Sequence, residues 1–170
     1  MLICFDSEFT ELGIDPRLIS IGFVSEDGTR TFYAELSDTY QPSDCSDFVR
    51  EAVAQHLQGG EARMTLNECA QRLVQWLKAF GEPVQLATDS LTWDWPWIEE
   101  LFTEAGTGWP ENVASRPLIL SQTPEFNLAV EQAFAAGLRR HHSLDDARAN
   151  RIGRLAQQKD KEVSFGRFSI

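Results

Sequence analysis

The sequence predicts an α/β domain built on a mixed sheet. Three observations support this: β-rich segments crowd the N-terminal third, helical periodicity takes over afterwards, and no Pro-, Gly- or Ser-rich linker divides the 170 residues. Met1 to Phe5 is short and apolar and runs directly into Asp6, Ser7 and Glu8, which reads as a strand ending in carboxylates. Leu18 to Ser25 (LISIGFVS) and Thr31 to Leu36 (TFYAEL) are rich in β-branched and aromatic residues, with turn chemistry at Glu26-Asp27-Gly28 between them. These three segments predict an antiparallel meander. Phe48, Val49, Ala52, Val53, His56 and Leu57 then recur at helical spacing until Gly59-Gly60 stops them.

Thr65 to Glu68 is a capping box, and the helix it opens places Leu66, Cys69, Ala70, Leu73, Val74, Leu77 and Phe80 on one face. Val84 to Ala87 is a fourth strand, Asp94 to Thr103 a helix with Pro96 in its first turn, and Leu118 to Leu120 a fifth strand. Pro124 to Leu138 and Ser143 to Gln158 read as the last helices, with Leu144, Ala147, Ile152 and Leu155 as core positions of the second. A single domain over residues 1–170 follows.

A hydrophobic fraction of 42% is enough for one core, and no apolar run reaches the ~18 residues of a membrane span. Met1 to Thr10 has no basic segment and is interrupted by Asp6 and Glu8, so no signal peptide is expected. Cys4, Cys45 and Cys69 lack CxxC spacing and cannot all pair, which favours reduced thiols and a cytoplasmic location. The net charge of −11 speaks at first against a nucleic-acid partner. Its distribution softens that conclusion, because Leu138 to Ile170 holds eight Lys or Arg against four Asp or Glu, while the rest holds seven against 22. An acidic body with a basic C-terminal segment is compatible with a local phosphate track, and bound cations would offset clustered carboxylates.

Three elements carry chemistry. Asp6 and Glu8 stand two apart on an extended segment, so both point to one face, where they repel unless solvent, a shared proton or a hard cation relieves them. Trp93-Asp94 opens a helix, a position where an acidic residue is also an ordinary cap; Asp89 competes with it from the preceding loop. His141 and His142 precede Asp145 and Asp146, and histidine is the side chain suited to taking a proton from water near neutral pH.

Taken in that order, DxE, Asp, then His with Asp, the chain resembles the DEDDh group of 3′-5′ exonucleases. It is most similar to the small stand-alone mycobacterial-type exoribonucleases, through FDSEF, LISIGFVSEDG with the following FYA, and HHSLDDAR. The resemblance runs from Phe5 to about Arg154. It implies a ribonuclease H-like fold, a mixed five-stranded sheet with helices on both faces. It also implies metal ligands Asp6, Glu8, Asp94 and Asp146, with His141, separated by four residues from Asp146, as general base and His142 as the alternative. Ser7 and Phe9 flank Glu8 as expected substrate contacts, Phe9 as a stacking surface for the terminal base.

The implied cofactor is Mg²⁺, two ions per site, with Mn²⁺ expected to substitute because every ligand is an oxygen. The implied substrate is nucleic acid attacked from its 3′ end, RNA in preference to DNA, and the resemblance allows a homodimer. A 3′-5′ DNA exonuclease of the same fold and a catalytically inactive nucleic-acid-binding module stay open as alternatives.

Overall fold

The meander forms as its sequence suggests. Strand β1 (Leu2–Phe9) pairs antiparallel with β2 (Leu18–Ser25), and β2 antiparallel with β3 (Thr31–Leu36). The computed structural model describes residues 1–104 and 106–166, with side chains described for 1–103 and 106–159; the predicted domain therefore includes residue 105 and residues 167–170 outside the described ones. Strand β4 (Arg63–Met64) joins the outer edge of β3 in parallel, while β5 (Gln85–Thr88) pairs in parallel with β1 and β6 (Leu118–Ile119) with β5. The sheet order is β4-β3-β2-β1-β5-β6.

The sheet thus has six strands rather than the expected five. The additional one is two residues long, too short for any periodicity to be read from sequence. Strand β1 also does not stop before the carboxylates: Asp6 and Glu8 lie inside it, paired with Gly22 and Ser20 of β2.

Helices cover both faces. Helix α1 (Asp47–Ala52) is followed by α2 (Leu66–Lys78), whose N-cap Thr65 accepts a hydrogen bond from the Glu68 N–H as the capping box predicts. Helix α3 (Leu91–Glu99) runs into a π-turn at Glu100–Glu104, and α4 (Pro124–Ala135) and α5 (Ser143–Gly166) complete the chain. Ile3, Phe5, Ile21 and Phe23 bury one face of the sheet against Leu73 and Leu77 of α2 and Ile98 of α3. Leu2, Cys4, Val24 and Ala87 bury the other against Phe126 of α4 and Ala147 of α5.

Three local expectations change. Helix α3 starts at Leu91 and not at Asp94, so Pro96 lies in its interior, where its missing N–H costs a helical bond that the first turn would not have needed. Ile152 is exposed and not core, whereas Leu144 and Ala147 are buried as expected. Phe48 shares the helical spacing of Val49 and Val53, yet it stands 58% exposed.

One close approach decides where the last helix sits. A Cβ built on Gly22 would lie 2.3 Å from the Leu144 backbone N and 2.4 Å from its Cα, so the first turn of α5 lies directly on β2. Gly22 is the register partner of Asp6, and the contact therefore brings the start of α5 over the carboxylates of β1. Further along α5, Gly153 leaves room for the Phe126 ring of α4 in the same way.

The Gly22→Ala substitution forces backbone against backbone and is expected to cost about 1–3 kcal/mol or more, as overpacking does. Urea unfolding measures this, and a variant as stable as the wild type would contradict the close approach.

Candidate active site

Strand alternation sends residues 2, 4, 6 and 8 of β1 to the face covered by α5. Leu2 and Cys4 meet Ala147 there, and Asp6 and Glu8 continue the row toward Asp146 on the first turn of α5. One carboxylate oxygen from each of Asp6, Glu8 and Asp146 lies within 4.8 Å of the others, close enough to share one cation. A buried oxygen of Asp146, Oδ2, has no hydrogen-bond partner among the described residues. A buried acceptor left without a donor is costly, and a hard cation, which takes oxygen ligands, is what such an atom fits.

On the other side of Asp6, oxygens of Asp89 and Asp94 also come within 4.8 Å of one of its own. Asp94 is 2% exposed and held by three donors: the Ser7 N–H at 3.2 Å and Ser7 hydroxyl at 2.5 Å on Oδ1, and the Thr88 hydroxyl on Oδ2. Ser7 points away from Asp6 because it is the odd residue between them, and its hydroxyl proton is committed to Asp94. Asp89, at the end of β5, accepts from Asn150 Nδ2 at 2.7 Å and Gln122 Nε2 at 3.1 Å. Asn150 lies one helical turn after Asp146, so α5 reaches both groups of acids.

The two adjacent histidines have different surroundings. His141 lines the cavity, its Nδ1 3.9 Å from Glu8 Oε1 and its ring edge-on to Phe48 at 5.0 Å. It is the only non-glycine residue with positive φ among those described, at 64°, a left-handed conformation that costs on the order of 1–3 kcal/mol. His142 is 2% exposed and stacks on Tyr33 at 4.6 Å; its Nδ1 accepts from the Asp145 N–H and its Nε2 lies 2.9 Å from the Gln58 amide. It acts as an N-cap of α5 and does not reach the carboxylates. The same stretch of chain thus turns one ring to the cavity and locks the other into the core.

The charge pattern follows from burial. Burial raises Asp6 well above the ordinary carboxylate range, with the charges of Asp94 and Asp146 next in importance. Glu8 is pushed up to about 9 by burial and then by the charge of Asp146. Burial raises Asp146 to about 7, and raises Asp94 to about 6 against the pull of its Ser7 and Thr88 donors. His141 moves down from 6.5, through burial and then the charges of Arg140 and His56, so its ring is neutral near pH 7 and able to accept a proton.

The cavity over these groups has a volume of about 540 Å³, enough for a nucleotide-sized ligand. Its walls include Phe9, whose ring stacks on Trp93 at 5.6 Å, and the exposed Phe48 beside His141. Arg140 is the single Lys or Arg among the lining residues, paired with exposed Glu131. The other arginines of the basic segment among the described residues are engaged elsewhere: Arg139 and Arg148 with Asp145, Arg151 with the Glu26 carbonyl, and Arg154 with the Glu26 carboxylate.

All five acid and base positions expected from the sequence therefore converge on one cavity, and Ser7 and Phe9 both line it. Sequence reasoning missed Thr88, Gln122 and Asn150. Only Asn150 carried a signal, its spacing of four from Asp146 on the same helix face.

No protein-family model matches the sequence, and no curated protein matches it. Among solved structures the chain is similar to S. pombe Pop2p in its Mg²⁺- and Mn²⁺-bound form, with a TM-score of 0.56 and 13% identity over 94% of this chain and 83% of that one. The fold is ribonuclease H-like.

The buried acids imply a pH effect on the metal-free protein. In the folded protein Glu8 is pushed up to about 9 from its ordinary value of 4.5. The folded state then binds more protons than the unfolded one between those values, and stability falls as pH rises through that window. Glu8→Gln removes this term while leaving both histidines in place. In EDTA, the variant is expected to gain Tm relative to the wild type steadily from pH 5 to pH 9. A difference that is flat, or that shrinks, would contradict the burial of Glu8 as an uncompensated acid.

Proposed function

We propose that this chain is a metal-dependent 3′-5′ exonuclease of the DEDDh type, acting on RNA in preference to DNA, with the whole chain forming one exonuclease domain in the cytoplasm. The observation that carries the reading is Asp6, which stands within cation-sharing distance of Glu8 and Asp146 on one side and of Asp94 on the other. The ribonuclease H-like fold and the Mg²⁺ and Mn²⁺ bound by Pop2p support it. The preference for RNA rests on the resemblance of FDSEF, LISIGFVSEDG and HHSLDDAR to the exoribonuclease motifs.

In this reading Asp6, Glu8, Asp94 and Asp146 hold two Mg²⁺ or Mn²⁺ ions. When bound, such ions activate an attacking water and stabilise the leaving 3′ oxygen. The protein's own contribution is positional. Ser7 and Thr88 fix the Asp94 carboxylate and keep it ionised through charge-assisted hydrogen bonds. The neutral His141 ring, at the cavity side of Glu8, accepts the proton of the attacking water. Phe9 and Phe48 offer apolar surface to the terminal base, which stacks without regard to sequence. Arg140 can exchange its exposed partner Glu131 for a backbone phosphate, because a surface ion pair of that kind holds weakly.

A 3′-labelled RNA oligomer is expected to lose mononucleotides from the labelled end in Mg²⁺ or Mn²⁺ and not in EDTA, and a matched DNA oligomer to be cut more slowly. Asp6→Asn should abolish turnover with the fold intact. His141→Ala should lower kcat by roughly 10²- to 10⁴-fold. His142→Ala should act on stability instead, since its ring caps α5. Full activity of Asp6→Asn would overturn the metal assignment, and loss of turnover in a folded His142→Ala with an active His141→Ala would move the base to the other histidine.

A further inference from the structure

Asp94 is the ligand the sequence motif indicates on the β5 side of Asp6, yet its carboxylate already accepts three hydrogen bonds, from the Ser7 N–H, the Ser7 hydroxyl and the Thr88 hydroxyl. A carboxylate offers about four lone-pair sites, so about one is left for a cation. Asp89 has more to give. Each of its oxygens accepts one amide hydrogen, from Asn150 or Gln122, which leaves about two sites free. Both donors are neutral, so they aim the carboxylate without cancelling its charge, and no Lys or Arg pairs with it among the described residues. Asn150 is 5% exposed and grows from the same helix as Asp146, so the helix that completes one side of the site also fixes the acid on the other.

We infer that Asp89 is a direct ligand of the ion bound between Asp6 and Asp94, held in place by Asn150 and Gln122, so that the site uses five carboxylates and not four. The inference rests on the proposed metal-dependent function and extends it. The physical consequence is charge. Two divalent ions leave five carboxylates with a net charge of about −1, against about 0 for four, so the ion on the Asp89 side binds more tightly than four acids would hold it.

Mn²⁺ titration followed by the EPR signal of the free ion tests this without reference to turnover. The wild type is expected to bind two ions per chain. Asp89→Asn, nearly the same in shape, should keep one ion at wild-type affinity and weaken the other by roughly 10- to 100-fold or more, the scale seen on disturbing the groups around a metal. Asp89→Ser, too short to reach the ion, should behave alike, and a cooperative metal-free thermal transition in both variants, lowered by no more than the loss of the Asn150 and Gln122 hydrogen bonds accounts for, separates lost binding from lost folding. Two Mn²⁺ bound by Asp89→Asn within twofold of the wild-type affinities would overturn the inference and leave Asp89 as a partner of Asn150 and Gln122 alone. A wild type that binds no Mn²⁺ would overturn the metal-dependent reading together with it.

Discussion

Mutual repulsion among the carboxylates around Asp6 is the constraint on which the rest of the structure depends. Asp6 is raised by its own burial and then by the charges of Asp94, Asp146, Glu8 and Asp89, so every neighbour makes it harder to ionise. A fold that buries such a group without an ion loses stability, and the surrounding architecture is what makes the arrangement tolerable. Strand β2 pairs with β1 from Ile3 to Phe9, β5 pairs with Leu2 to Cys4, and the Ser7 N–H donates to Asp94. Gly22 lets α5 close over the cluster, and hydroxyls or amides, not cations, hold the outer acids at Asp94 and Asp89. Arginine partners would have neutralised the site. Near it, the arginines answer Asp145, Glu131 and Glu26 instead, outside the cluster.

The segment His141-His142 concentrates a second compromise. His141 is kept in a left-handed backbone conformation that residues with a Cβ seldom adopt, and the residue after it anchors the start of α5 through Tyr33, Gln58 and its own cap on Asp145. The strain is offset by that anchoring and by the packing of α5 on β2 at Gly22. Strained backbone beside a reactive group is a place where stability and function diverge. Here the strain is what turns the His141 ring out to the cavity while its neighbour turns in.

Much of this was legible in the sequence. The meander could be read because LISIGFVS and TFYAEL state their β character locally, and the capping box at Thr65 placed the start of α2 to the residue. Asp6 and Glu8 were legible as a pair because a spacing of two on a strand has one geometric meaning, and the position of Asp146 followed from the motif it shares with His141. What could not be read depended on contacts across the chain. Strand β4 exists only because β3 offers it an edge. The start of α3 could not be settled locally because Ser90 and Asp94 are both plausible caps, and tertiary contacts of Asp94 with Ser7 and Thr88 removed it from capping. Gly22 gave no hint that it lies beneath Leu144. The inward direction of His142 is set by Tyr33 and Gln58, distant in sequence.

On the proposed reading, the acids around Asp6 are held together to bind divalent cations. Diffraction from crystals grown with Mn²⁺, with data collected on both sides of the manganese absorption edge, tests it most directly. Two anomalous peaks are expected in the cavity, both touching Asp6, one also touching Glu8 and Asp146 and the other on the Asp94 side. A map without anomalous density at Asp6, from crystals in saturating Mn²⁺ at pH 8, would contradict it.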